Sequence, residues 1–76
     1  MRRVGTVVRT AGGLAIARSD PDADPPRIGA SVVDESLSTV GRVVDVFGPV
    51  DRPYVAVTPN NGVGLAALVG GKLYAR

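Results

Sequence analysis

The chain has 76 residues, of which 45% are hydrophobic and 21% are charged, and its formal net charge is +2. A chain of this length is expected to form a single domain, spanning residues 1–76, around a small core. It contains no Cys and no His, which excludes disulfides, zinc centres built from those ligands, and catalytic triads. We therefore expect no catalytic residue, no cofactor and no metal.

Short Val-rich segments separated by Gly and Pro run through the first half of the chain and predict strands joined by turns. The first two segments, residues 4–10 and 14–19, flank Ala11-Gly12-Gly13 and predict a hairpin. Residues 20–26 are rich in Asp and Pro and predict a loop, because three prolines are incompatible with a helix interior. A short strand is predicted over residues 31–34.

Residues 40–47 form the longest predicted strand. Strict alternation divides this strand into two faces, which are Val40, Arg42, Val44 and Val46 on one side and Gly41, Val43, Asp45 and Phe47 on the other. Further strands are predicted at 54–58 and 72–75, and residues 65–69 fit either a strand or one helical turn. About six short strands at this spacing predict an all-β fold, a small closed barrel.

Two observations bear on location. The longest apolar run, residues 63–69, is far too short to span a bilayer. Arg9 interrupts the apolar stretch that follows the charged amino terminus, so no signal-peptide core is present. We expect a soluble, cytoplasmic protein that has no membrane partner and is monomeric when isolated.

The charged residues are unevenly distributed. Eight of the nine basic residues are Arg, and four of them precede the first acid. These four are Arg2, Arg3, Arg9 and Arg18, and the acids Asp20, Asp22 and Asp24 follow. A basic patch can attract phosphate, and Arg is favoured at protein interfaces, although a solvated surface is the simpler interpretation.

Acidic side chains in the middle of the chain have an ordinary explanation. Asp34, Glu35 and Asp45 lie in or next to predicted strands, near Arg42 and Arg52 in the sequence. Surface ion pairs are the expected role of such carboxylates, in preference to general acid or base catalysis.

The bend between the strands at 40–47 and 54–58 is apolar and allows two interpretations. It is either core that closes over itself or an exposed patch that docks on a protein. We predict docking through Phe47, Gly48, Pro49, Val50, Pro53 and Tyr54. In this interpretation Gly48 and Pro49 direct the chain, and Pro53 prevents the bend from extending the sheet. The side chains of Phe47, Val50 and Tyr54 then act as anchors.

The same region carries a family resemblance. Residues 40–50, VGRVVDVFGPV, followed by Pro53-Tyr54-Val55, resemble the core signature of the Gar subunit of H/ACA ribonucleoproteins. Supporting matches are Arg3-Val4-Gly5, Val33-Asp34 and Gly71-Lys72-Leu73-Tyr74, so that the resemblance covers nearly the whole chain. The related Naf assembly factor shares this core. The sequence contains no glycine/arginine-rich tails and resembles the compact archaeal form.

The resemblance implies a six-stranded barrel of the kind found in translation-factor domains. It also implies a non-catalytic accessory subunit that binds the dyskerin-type pseudouridine synthase and assists substrate loading and product release in rRNA pseudouridylation. The synthase would supply the catalytic Asp, and guide RNA and rRNA would be partners only indirectly, through the particle. Two alternatives stay open: a barrel that binds RNA directly, and a Naf-like assembly factor that leaves the mature particle.

Overall fold

A computed structural model describes residues 2–21 and 24–76. The elements in chain order are β1 (Arg2–Ala11), β2 (Leu14–Arg18), β3 (Ser31–Val33), β4 (Thr39–Phe47), β5 (Tyr54–Pro59), α1 (Leu65–Leu68) and β6 (Lys72–Ala75). The predicted hairpin is confirmed, and residues 65–68 form a helical turn rather than a strand. Asp22 and Ala23, in the predicted Asp- and Pro-rich loop, lie outside the described residues. No helix in the described part of the chain is long and apolar enough to cross a membrane.

The six strands close into a barrel in the order β1-β2-β5-β4-β3-β6, and every neighbouring pair is antiparallel. The predicted all-β closed barrel is therefore confirmed. Because neighbours run in opposite directions, the starts of β1, β3 and β5 lie at the same end as the ends of β2, β4 and β6. We call this the proximal end. The loop between β4 and β5 lies there, whereas the loop between β3 and β4 lies at the opposite, distal end.

The barrel interior is filled by small aliphatic side chains. Its buried cluster comprises Val4, Val7, Ala15, Ala17, Val32, Val40, Val43, Val55, Val57, Leu73 and Ala75. Leu73 is the largest of these side chains, and no aromatic ring belongs to the cluster. A narrow six-stranded barrel leaves room for Val and Ala but not for rings, so the aromatic side chains are available to the outer surface.

Strict alternation along β4 is wrong, because the strand contains two bulges. Pairing with β3 shifts register at Val40, and pairing with β5 shifts register at Val44. Each extra residue reverses the side to which the following side chains point. As a result Val40 and Val43, which alternation puts on opposite faces, both belong to the core cluster. Val44 is 39% exposed.

Gly41 on β4 pairs with Pro59 on β5 and packs directly against the β5 backbone. A Cβ atom at this position would overlap the carbonyl oxygen of Thr58 on β5. Glycine is required here because the obstacle is backbone, which cannot turn aside as a side chain would.

Candidate protein-docking site

Two aromatic residues face each other across β4 and β5 at the proximal end. Phe47 ends β4 and Tyr54 begins β5, and the two are directly paired in the sheet. Their neighbours Val46 and Val55 pack in or against the core, so alternation directs both rings to the outside of the barrel. The ring centroids are 5.6 Å apart with an interplanar angle of 23°. Stacked pairs at this spacing contribute about 0.5–1.5 kcal/mol beyond the area that they bury.

Arg18 extends this row onto a third strand. It ends β2 and pairs with Tyr54, and its guanidinium carbon lies 5.8 Å from the centre of the Tyr54 ring. A guanidinium over an aromatic face is attracted by the ring quadrupole, and at an exposed site this contact contributes about 0.5–1 kcal/mol. Phe47, Tyr54 and Arg18, which we call the aromatic row, thus form one continuous surface across β4, β5 and β2.

The connection between the two rings is a loop over residues 48–53, which we call the docking loop. The backbone N–H of Arg52 donates to the carbonyl of Pro49 at 3.3 Å, which closes a turn at the loop tip. The loop is also attached to the end of β2. The N–H of Ser19 donates to the carbonyl of Pro53 at 3.0 Å, and Nε of Arg52 donates to the carbonyl of Ser19 at 3.0 Å.

Gly48 turns the chain away from β4 beside the Tyr54 ring. Its φ is +91°, and a Cβ at this position would stand 2.9 Å from Cδ2 of Tyr54. A side chain here would be strained and would displace the ring. The glycine therefore holds the turn and leaves space for Tyr54 to stack on Phe47.

The six residues predicted for docking do not share one environment. Phe47 is 39% exposed and Val50, at the loop tip, is 99% exposed. Tyr54 is half-buried, Gly48 and Pro49 are exposed, and Pro53 is buried. The aromatic row and Val50 provide the accessible surface, whereas Pro53 supports the loop from below. Docking itself stays a prediction, but the interpretation of Phe47 as core is excluded by its exposure.

Three residues at this site were not found from the sequence. Arg18, Ser19 and Arg52 act through the pairing of β2 with β5, a contact between segments 33 residues or more apart. No local pattern indicates such a pairing. The Arg-rich amino-terminal quarter was a signal for Arg18, but it could not show which ring the guanidinium contacts.

The basic amino-terminal quarter does not form a single patch. Nε of Arg3 makes an ion pair with Asp20 at 3.1 Å, and the two side chains are 40% and 44% exposed. An exposed pair contributes at most about 1 kcal/mol. Arg9 lies on the outside of the barrel, paired with Ile16 of β2.

The ion pairs expected of the central acids are not formed among residues 2–21 and 24–76. Asp34 instead accepts two backbone N–H groups of its own loop, from Ser36 at 2.9 Å and Ser38 at 3.0 Å. Asp45 accepts the N–H of Val46 at 2.8 Å. Local backbone geometry uses these carboxylates, that of Asp34 in a turn and that of Asp45 beside the bulge of β4, because a short acidic side chain reaches the amides that follow it. Within the same residues, no group of three acidic side chains is placed to hold a metal ion.

Fold and site together define a class: a small closed β-barrel, its interior filled by aliphatic side chains, that presents an aromatic surface at one end. The whole chain, residues 1–76, matches the family model described as the Gar1/Naf1 RNA binding region. The chain belongs to this family of RNA-binding, ribonucleoprotein-associated domains.

Two archaeal relatives and one solved structure are similar to the chain. It is 36% identical over 59 residues to an uncharacterized protein of Methanocaldococcus jannaschii, covering 78% of this chain and 68% of the relative. It is 31% identical over 64 residues to an uncharacterized protein of Methanothermobacter thermautotrophicus, covering 83% of this chain and 66% of the relative. The solved Gar1 domain of Naf1 superposes with a TM-score of 0.72 at 14% identity, covering 99% of this chain and 81% of that one. This last similarity establishes the fold.

Proposed function

We propose that the chain is a non-catalytic accessory subunit of an H/ACA guide-RNA ribonucleoprotein. It binds the dyskerin-type pseudouridine synthase and assists substrate loading and product release in rRNA pseudouridylation. Membership of the Gar1/Naf1 family supports the type of particle. The resemblance of residues 40–50 and 53–55 to the Gar core signature supports the synthase as the partner.

The observation that carries this proposal is the exposure of the aromatic row beside the docking loop. Phe47 and Tyr54 are held by strand pairing and by each other, and Arg18 is held against Tyr54. Side chains that are already ordered lose little conformational entropy when a partner covers them. Aromatic residues and Arg are the types enriched among the residues that dominate interface energies.

The chemistry of the reaction belongs to the synthase in this proposal. The barrel interior is filled by aliphatic side chains, and the sequence offers neither His nor Cys as a base or nucleophile. We expect the purified chain alone to form no pseudouridine in a substrate RNA, measured by chromatography of the digested nucleosides, because pseudouridine and uridine have the same mass. Pseudouridine-forming activity in a preparation of this chain that contains no trace of synthase would contradict the assignment.

The loop tip provides a direct test of docking. Val50→Asp places a carboxylate on a side chain that is 99% exposed, so the isolated barrel should keep its stability. If the docking loop is covered by the synthase, the desolvated charge should weaken binding by at least tenfold, or about 1.4 kcal/mol. The measurement is titration calorimetry with the synthase, with and without guide RNA.

A matched control comes from the other loop that flanks β4. Leu37 is 57% exposed at the distal end, and Leu37→Asp adds the same charge to a similar side chain. We expect this variant to bind the synthase as the unaltered chain does. Equal losses for both variants would show a general charge effect, and no loss for Val50→Asp would remove the docking loop from the interface.

The assembly-factor alternative shares the fold and is separated by the composition of the mature particle. The family model that matches the chain covers both Gar1 and Naf1 proteins. An accessory subunit of the working enzyme should be retained when active particles are purified, in about equal amount to the synthase. A chain present only in inactive, immature particles would be an assembly factor.

A further inference from the structure

A groove with three arginines lies on the side of the barrel away from the aromatic row. It has a volume of about 520 Å³ and is lined by Arg2, Pro26, Arg27, Ala30, Ala75 and Arg76. Pro26 and Ala75 are buried and provide an apolar floor, while the three arginines are exposed. We call this the arginine groove. Its volume lies in the range of about 300–1,000 Å³ that is typical of small-ligand sites.

The backbone of each arginine is fixed by a different part of the fold. Arg2 pairs with Ala75 between β1 and β6. The N–H of Arg76 donates to the carbonyl of Ser31 at 3.1 Å, which attaches it to β3. The carbonyl of Arg27 accepts the N–H of Ala30 at 3.0 Å in the turn before β3. Three guanidinium groups from distant parts of the sequence are therefore brought to one groove by the closure of the barrel.

The arginine groove is suited to anions. Among residues 2–21 and 24–76 the one ion pair joins Arg3 and Asp20, so none of the three groove arginines is paired with a described acidic side chain. Guanidinium groups bind phosphate with two parallel hydrogen bonds and shed water more readily than ammonium groups. Three guanidinium groups around one groove favour a ligand that carries several phosphates.

We propose that the arginine groove binds the phosphodiester backbone of single-stranded RNA. The family is described as an RNA binding region, yet no aromatic side chain lines this groove, so the contact would be with phosphates and not with bases. The proposal also gives a role to the end of the Asp- and Pro-rich segment, since Pro26 and the following Arg27 line the groove.

Synthase docking at the aromatic row and RNA binding in the arginine groove use different surfaces. The proposal of RNA binding does not depend on the proposal of synthase docking. Both surfaces lie at the proximal end, but the aromatic row spans β4, β5 and β2 while the arginine groove adjoins β6, β1 and β3. In the closed order of strands these two sets lie on opposite sides of the barrel. A protein that covered only the aromatic row would leave the groove open to an RNA strand.

Two triple variants with equal charge separate the groove from general electrostatics. The groove variant is Arg2→Gln, Arg27→Gln and Arg76→Gln, and the control is Arg9→Gln, Arg42→Gln and Lys72→Gln. All six side chains are exposed, and each triple changes the formal net charge from +2 by three, to −1. Binding of a labelled 12-nucleotide oligouridylate is measured by fluorescence anisotropy between 50 and 200 mM salt, with a 12-residue polyglutamate peptide as the rival anion.

We expect the unaltered chain to bind this RNA with a Kd of roughly 10⁻⁴ M at the lowest salt. Three phosphate contacts give a logarithmic salt slope of about −2, which is roughly a twentyfold loss of affinity over that salt range. The groove variant should lose at least tenfold in affinity and most of the slope, whereas the control keeps most of both.

Each contrary result has a definite meaning. Equal losses in the two triples, or no RNA binding by the unaltered chain at millimolar concentration, would overturn the proposal. Tighter binding of polyglutamate than of RNA would make the groove a site for acidic protein segments. The synthase affinity of the groove variant is measured on the same samples. If that affinity is unchanged, the arginine groove and the docking surface act independently.

Discussion

The two loops that flank β4 both carry an exposed aliphatic side chain, but they are built differently. The distal loop, residues 34–38, is held by its own first residue, since the carboxylate of Asp34 accepts the N–H groups of Ser36 and Ser38. The docking loop has no such residue. It is held from outside, by the end of β2, through the backbone of Ser19 and the side chain of Arg52.

This difference separates a structural loop from a candidate interface. The distal loop is stabilised mainly by bonds within its own sequence, and one further bond, from the N–H of Lys72 on β6 to Oε1 of Glu35 at 3.2 Å, links it to the barrel. Its residue Leu37 is 57% exposed. The docking loop is flanked by a stacked pair and is attached to a third strand. Its shape depends on barrel closure, so a partner that recognises it also recognises the folded barrel.

The largest expected effect is that of Tyr54→Ala on synthase binding. This substitution removes the central ring of the aromatic row, which contacts both Phe47 and Arg18. Truncation of such an anchor typically costs at least about 2 kcal/mol, or roughly thirtyfold in affinity. Because the ring lies outside the core cluster, the loss of stability should be limited to its contacts with Phe47 and Arg18, about 1–2 kcal/mol, or a fall of roughly 10 °C in Tm with the cooperative melt retained.

Calorimetry for affinity and thermal melting for stability are both needed for Tyr54→Ala, since each outcome has its own meaning. Tyr54→Phe is the matched control, because it keeps the ring and its stacking and removes only the hydroxyl. Unchanged affinity of the alanine variant would remove Tyr54 from the interface. Lost affinity together with a collapsed melt would make Tyr54 a structural residue instead.

Asp34→Ala should have the next largest effect, on stability and not on binding. It removes the acceptor of two backbone N–H groups at the distal loop. Loss of a side-chain acceptor that binds two backbone N–H groups costs about 1–2 kcal/mol of stability. Asp34→Asn keeps an oxygen acceptor and should recover most of the loss in chemical denaturation. A variant that weakened synthase binding without loss of stability would place the distal loop in the interface and cancel the contrast between the two loops.

Arg52→Ala should affect both properties by a smaller amount. The hydrogen bond from Nε to the Ser19 carbonyl is part-buried, and its loss should cost about 1 kcal/mol of stability. A loosened docking loop should reduce synthase affinity by a few fold.

Ser19→Ala is the control for Arg52→Ala, because Ser19 is 1% exposed and its hydroxyl has no hydrogen-bond partner among the described residues. Ser19 takes part through its backbone, so loss of the hydroxyl should leave stability within about 0.5 kcal/mol. If the control lost as much as Arg52→Ala, the hydroxyl and not the carbonyl would hold the loop.

The sequence predicted the barrel well because its strands are short, Val-rich and separated by Gly and Pro. The docking surface was predicted from residues that are local in the chain, and their role in docking stays a prediction. Sequence-based prediction failed where structure depends on register: the bulges at Val40 and Val44 reversed the faces of β4. It also missed Arg18 and the arginine groove, because barrel closure, and not spacing along the chain, brings those residues together.

The smallest expected effect is a gain of stability at the tip of the distal loop. Leu37 has φ +65°, a left-handed conformation that costs a residue with a Cβ about 1–2 kcal/mol. Leu37→Gly removes this strain but raises the conformational entropy of the unfolded chain, which costs about 0.4–1 kcal/mol of stability. The net gain should be about 0.5 kcal/mol, which is a rise of roughly 3 °C in Tm.

Leu37→Ala removes almost the same side chain and keeps the strain, so the glycine variant should be the more stable by about 0.5–1 kcal/mol. Neither variant should change synthase affinity if the distal loop is purely structural. An alanine variant as stable as the glycine variant would show that the turn tolerates a Cβ without strain, because the Asp34 carboxylate already holds the backbone in this conformation.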